Sequence, residues 1–145
     1  MSGPTATDLD GATNDPRERL SVLRELFFAT PSSLGRDPIT LERQSDTTPA
    51  HETTADNARW RVGDVLFGTT HVVGSNNGRR SGDAAAIAEY KQRDAANIEW
   101  IDELFETARA TRASAVVLAF QADPYQLCGL GGGFLTTLAA ITRRA

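Results

Sequence analysis

The stretch Asp64-Val-Leu-Phe-Gly-Thr-Thr-His-Val-Val-Gly-Ser-Asn-Asn-Gly-Arg79 decides how the rest of the sequence is interpreted. Its first half is an apolar run rich in valine and threonine, which predicts a buried strand from Val65 to Val73. His71 lies near the end of that run. The second half consists almost wholly of small polar residues and glycines, so it predicts a loop where the strand ends. A polar loop on a rigid strand is a common position for binding chemistry.

The loop offers several groups that can contact a ligand. We take His71, Ser75, Asn76, Asn77 and Arg79 as candidate substrate-binding residues, because they supply an imidazole, a hydroxyl, amides and a cation. One interpretation is a turn that binds a phosphate or a sugar. The other is a plain tight turn, since Asn and Gly tolerate a positive φ. His71 is likewise either a hydrogen-bonded structural residue or a ligand, and the sequence leaves both choices open.

A second polar stretch follows another apolar run. Ala115-Val-Val-Leu-Ala-Phe120 is short and continuously apolar between helical patterns, which predicts an interior strand of a covered sheet. Gln121 and Asp123 come directly after it, where the crevice of an open α/β sheet is expected. Both are candidate metal ligands, Gln121 through its amide oxygen and Asp123 through its carboxylate, and Asp123 is alternatively a general base. The competing interpretation is a turn formed by Asp123 and Pro124.

The remaining pattern alternates helices with few strands, so it predicts an α/β protein. Helices are expected from Asp15 to about Ala29, from Asp83 onward, and from Phe134 to Arg143, with a strand over 59–62 and a polar linker or long surface loop over 44–57. The long helix is expected to have one apolar face, with Trp100 and Leu104 flanking it. The residues of that face are Ile87, Tyr90, Ile98, Ile101, Phe105 and Ala108. Residues 14–145 are then a single incomplete domain, and residues 1–13 a disordered lead.

Composition excludes several functional classes. A chain of 145 residues fits one domain, and its net charge of −4 gives no general nucleic-acid surface. No apolar run approaches the about 20 residues of a membrane helix, and the N-terminus lacks the pattern of a signal peptide. The single cysteine cannot form an internal disulfide. We therefore expect a soluble cytoplasmic protein without nucleic-acid or membrane partners.

Three stretches of the sequence resemble the calcineurin-like metallophosphoesterases, in a poorly characterised bacterial subgroup. They are Val65-Leu-Phe-Gly-Thr-Thr-His-Val-Val-Gly-Ser-Asn-Asn77, Arg93-Asp-Ala-Ala-Asn-Ile-Glu-Trp-Ile-Asp102 and Ala115-Val-Val-Leu-Ala-Phe-Gln-Ala-Asp-Pro124. The resemblance covers roughly residues 14–143, which is nearly the whole chain. It implies a partial layered β-sandwich flanked by helices, with divalent metal ions (Mn, Fe or Zn) between the sheets and a phosphorylated small molecule as ligand.

The metal-binding signatures of that family are missing from this sequence. Its members use Asp-x-His, Gly-Asn-His and Gly-His-x-His motifs, whereas this chain has none of these and contains only His51 and His71. By position, Gln121 replaces the family's lone histidine after a late strand, and the loop from Ser75 to Asn77 resembles a lid over the substrate. The metals in such enzymes create a hydroxide nucleophile and neutralise phosphoryl oxygens.

The resemblance therefore implies a metallophosphoesterase-like segment with little or no activity of its own. Two other functions stay open on the sequence. One is a non-catalytic module that binds a phosphate or sugar ligand. The other is a subunit that completes its sheet with a partner chain or by self-association, since the predicted strands are few for a covered sheet.

Overall fold

A computed structural model describes residues 16–125 and 132–145 of the chain. The residues predicted to be disordered, 1–13, lie outside these ranges, and so do residues 126–131, which include most of the run Cys128-Gly-Leu-Gly-Gly-Gly133. The chain divides into two compact units, Met1–Ile39 and Thr40–Ala145. No helix in the described part of the chain combines the length and the hydropathy that a bilayer-spanning segment requires.

The first unit contains one helix, α1 (Pro16–Phe27), within its described part. The position of this helix confirms the prediction from the Asp15-Pro16 start and the apolar spacing. Its apolar side chains are about half exposed or more, as shown by Val22, Leu23, Leu26 and Phe27. The chain that follows closes on itself, because the backbone N–H of Ser33 donates to the carbonyl of Ile39 at 2.9 Å.

The second unit holds a four-stranded mixed sheet flanked by helices. Its elements are β1 (Glu42–Arg43), α2 (Gln44–Thr47), a 3₁₀ turn (Pro49–His51), β2 (Ala58–Val62), β3 (Val65–Thr69), α3 (Ala84–Ala110), β4 (Ala115–Ala119) and α4 (Leu135–Arg144). The strand order is β1-β2-β3-β4, antiparallel except for the parallel pair β3 and β4. The 27-residue helix α3 makes the crossover that a parallel pair needs.

Helix α3 packs on one face of this sheet. Leu104 is fully buried against Leu66 of β3, and Val116 and Leu118 of β4 pack beside them. Gly68 permits the close approach, because a Cβ at that position would lie 2.6 Å from a methyl carbon of Leu104. This contact fixes the helix over the end of β3 where the polar residues begin.

The start of α3 agrees with its prediction, and its buried face agrees only in part, since Tyr90, Ile101 and Ala108 are buried as expected. Asp83 caps the helix by accepting from the backbone N–H of Ala86 at 3.0 Å. Trp100, Ile101 and Leu104 are fully buried, whereas two of the residues expected on the central face, Ile98 and Phe105, are only half-buried. The buried stripe is therefore rotated toward Trp100 and Leu104, because the sheet lies on that side.

Three predictions about the second unit are wrong. The strand after Val65 ends at Thr69 instead of Val73, so His71 lies just beyond it. Residues 44–57 are not a surface linker, because Gln44 and Asn57 are completely buried. The run from Ala115 is not an interior strand: within the described ranges β4 is the last strand of the sheet, and Val117 is 43% exposed. Apolar content alone does not reveal how many neighbours a strand has.

Candidate ligand-binding site at the end of β3

The chain forms a left-handed turn a few residues after β3. Ser75, Asn76 and Asn77 have φ angles of 54°, 59° and 54°, and Gly78 follows with φ 70°. Positive φ values, which the tight-turn interpretation implies, extend over a whole turn, and the N–H of Gly78 closes this turn by donating to the carbonyl of Gly74 at 3.3 Å. A non-glycine residue pays roughly 1–2 kcal/mol for this conformation, so other contacts must hold it.

Asn77 is the residue that holds the turn from inside. It is fully buried, and its side-chain oxygen accepts from the N–H of Val73 at 3.2 Å and from the guanidinium of Arg93 at 2.6 Å. Its side-chain nitrogen donates to the carbonyl of Gly133 at 3.0 Å. Arg93 also donates to the backbone carbonyl of Asn77 at 2.9 Å. Asn77 therefore acts as a support beneath the candidate site, out of contact with solvent.

Asn76 and Arg79 bring the turn against the segment that precedes α4. The side-chain oxygen of Asn76 accepts from the N–H of Gly133 at 2.9 Å. A Cβ on Gly132 would lie 2.7 Å from the guanidinium of Arg79, so only glycine fits there without displacing that side chain. The exposed Ser75 and Arg79 thus lie on a backbone surface that includes Gly132 and Gly133.

His71 precedes the turn and is fixed by both its backbone and its ring. Its ring nitrogen Nδ1 lies in hydrogen-bond contact with the carboxylate of Asp56. Its backbone N–H donates to the side-chain oxygen of Asn57 at 2.9 Å. When Nδ1 donates to the carboxylate, Nε2 is the basic atom of the neutral ring. This pair has the arrangement that orients a histidine for proton transfer, for anion contact or for metal binding.

A network of buried amides connects His71 to α2 and α3. Asn57 donates to Gln44 at 2.8 Å and to Asn97 at 3.0 Å, and Asn97 donates to the carbonyl of His71 at 2.8 Å. Gln44 donates to the carbonyl of Ala96 at 2.8 Å. Buried polar groups that satisfy one another in this way specify a single arrangement of the backbone. The position of His71 is therefore set by α2, by α3 and by the loop before β2, all distant from it in sequence.

The two candidate metal ligands have other contacts. Gln121 accepts from the N–H of Gly74 at 3.2 Å, which places it beside the turn. Asp123 accepts from the N–H of Tyr125 at 2.9 Å, which is the geometry of an Asp-Pro turn. No group of three or more His, Cys, Asp or Glu side chains that could hold a metal occurs among residues 16–125 and 132–145. The described residues therefore do not fit a two-metal centre.

Sequence reasoning missed three residues that build this site. Asp56 lies in the segment interpreted as a linker. Arg93 and Asn97 lie on a helix for which only the apolar residues were used to predict the buried face. The four-residue spacing of Arg93 and Asn97 places them on one side of α3, which is the one local signal that links them.

No protein-family model, no curated protein and no solved structure matches this chain. The class of ligand must therefore follow from the groups that the site itself presents.

Proposed function

We propose that this chain is a metallophosphoesterase-like unit that binds a phosphoester at the end of β3 and has little or no hydrolytic activity of its own. The observation that carries the proposal is the left-handed turn after His71, which Asn77 and Arg93 hold in a costly backbone conformation. Such strain persists where the surrounding structure enforces it, and it concentrates at ligand sites.

The charges and donors beside the turn favour an anionic ligand. Arg79 supplies a guanidinium, which matches phosphoryl oxygens with paired N–H groups. Ser75 and His71 add a hydroxyl and an imidazole that can donate to the same group. The carboxylate of Asp56 contacts Nδ1 of His71 and so keeps the imidazole ring oriented. Together these groups recognise a phosphate ester better than a neutral sugar.

The proposed low activity follows from the donor set. A two-metal hydrolase needs clustered carboxylates and imidazoles to generate hydroxide at neutral pH. The described residues offer His71 and Asp56 in contact with each other, while Gln121 and Asp123 bond to backbone amides. We therefore assign ligand positioning to His71, oriented by Asp56, and structural backbone contacts to Gln121 and Asp123, and we derive no metal-dependent step from any of them. The partial β-sandwich implied by the family resemblance belongs to the same proposal.

Ligand-dependent thermal unfolding tests the binding part of the proposal. Phenyl phosphate at ten times its Kd should stabilise the fold by about 1.4 kcal/mol, which raises Tm by roughly 3–6 °C for a domain of this size. Arg79→Ala and His71→Ala should remove most of this shift. Their matched controls are Arg80→Ala, at the neighbouring position, and His51→Ala, whose imidazole bonds to Glu99 instead.

Outcomes that contradict the binding part of the proposal are separable from those that contradict its low activity or its lack of a metal site. An equal Tm shift with a neutral sugar, or no shift with any phosphate ester, would exclude a phosphoester site at this turn. Robust hydrolysis of a generic phosphodiester with Mn²⁺ or Zn²⁺ would instead exclude the low intrinsic activity. Stabilisation of the fold by either metal alone would contradict the assignment of Gln121 and Asp123 to backbone contacts.

A further inference from the structure

We propose that two copies of this chain join β4 to β4 in antiparallel orientation, which extends the sheet across a twofold axis at Val117. The starting observation is the contrast between the two edges of the sheet. One edge is β1, which is two residues long and charged, as protected edges usually are. The other is the five-residue strand Ala-Val-Val-Leu-Ala, which carries no charge and no proline.

The backbone of β4 shows which groups are directed outward. The N–H of Thr70 donates to the carbonyl of Ala119 at 3.1 Å, so Ala119 directs its backbone toward β3. Because backbone groups alternate along a strand, Val117 does the same, and Val116 and Leu118 direct theirs to the outer edge. No strand in the described ranges pairs with that edge. An antiparallel copy centred on Val117 pairs Val116 of each chain with Leu118 of the other.

Charges at the two ends of β4 select the antiparallel orientation. Arg112 lies shortly before the strand and Asp123 shortly after it, and both are exposed. Antiparallel pairing brings Arg112 of each copy toward Asp123 of the other at both ends of the interface. Parallel pairing would instead place like charges together, and it would not close on a twofold axis.

The exposed face of the sheet also continues across the proposed interface. Trp60, Phe67 and Val117 are neighbours in register on three successive strands, and the rings of Trp60 and Phe67 stack at 5.5 Å. At the twofold axis the two Val117 residues form a non-hydrogen-bonded pair, whose Cα atoms lie about 4.5 Å apart. Pairing therefore joins the half-exposed row of Trp60, Phe67 and Val117 in one copy to the same row in the other. The two Val117 side chains then cover each other at the axis.

The test uses sedimentation velocity on the full chain and on charged variants at the axis. The wild type should sediment with twice the monomer mass of 15.6 kDa. Val117→Lys and Val117→Glu each place like charges directly opposite one another, so each should dimerise at least about tenfold more weakly. An equimolar mixture of the two should restore the dimer as a Lys–Glu pair. Val62→Lys, on the same face but 57% exposed on β2, is the matched control and should remain dimeric.

A second pair of variants tests the same interface without substituting Val117, so a folding defect caused by the Val117 variants cannot decide the result. Arg112→Asp and Asp123→Arg lie at exposed positions outside the strand, and each should weaken the dimer while their mixture recovers it. A monomeric wild type at millimolar concentration would overturn the proposal. A dimer whose affinity neither the Val117 variants nor the Arg112 and Asp123 variants change would also overturn it. Variants that weaken the dimer but do not dimerise again when mixed with their opposite-charge partner would overturn it as well.

Discussion

Replacement of Asn77 by alanine should be among the most damaging single substitutions at the turn. Asn77→Ala removes the acceptor for Val73 and Arg93 and the donor to Gly133, all at a completely buried position. Each buried partner left unsatisfied costs about 1–3 kcal/mol, with losses that do not add fully. The φ of 54° adds a further cost for alanine of about 1 kcal/mol. We expect a total loss of roughly 3–5 kcal/mol.

Urea unfolding followed by circular dichroism measures this loss, with Asn77→Gly as the matched comparison. Glycine loses the same hydrogen bonds but accepts the positive φ, so it should be about 1 kcal/mol more stable than alanine. Equal stabilities of the two variants would show that the left-handed backbone carries no strain. A loss below about 1 kcal/mol for either variant would refute the view that Asn77 holds the turn.

Two further predictions concern packing and pH. Gly68→Ala should cost roughly 1–3 kcal/mol in urea unfolding, since its Cβ would collide with Leu104 in a filled core. At neighbouring positions of α3, the hydrogen bond from Arg144 lowers the pKa of Asp102, and burial raises the pKa of Glu103. A carboxyl group with a lowered pKa stabilises the fold at pH values above its ordinary pKa of 3.8, and this stabilisation is lost as the pH falls. A carboxyl group with a raised pKa destabilises the fold once the pH is high enough to ionise it. At pH 7, Asp102→Asn should therefore lower Tm slightly and Glu103→Gln should raise it. Both differences should fade in thermal melts near pH 3. A change of Tm in the same direction for both variants at pH 7 would contradict these pKa shifts.

Local chemistry was sufficient to predict several parts of this fold. Asp83 identifies the start of α3, because a capping carboxylate precedes a helical pattern. Gly63 and Asp64 are turn residues between the alternating stretch 59–62 and the apolar run from Val65, and they predict the β2–β3 hairpin that forms. The Asn and Gly residues after His71 predict positive φ values, since few other side chains tolerate them. In each case the signal lies within a few residues of the feature.

The parts that were missed depend on partners far away in the sequence. Gln44 and Asn57 lie in a stretch rich in Ser and Thr, and nothing local indicates burial. They are buried because each finds an amide or carbonyl on another element. Asp56 contacts His71 across 15 positions of chain, and β4 lies at an edge because of topology. Side-chain type alone contains none of this information.

The buried support of the left-handed turn has a consequence for how a ligand associates with it. A loop that samples many conformers binds with an affinity reduced by the fraction that is competent. Arg93 and Asn77 hold this backbone in one shape, so under the proposed function nearly every phosphoester that reaches the turn meets a competent surface. Under the same proposal, loss of Asn77 weakens binding by lowering that competent fraction.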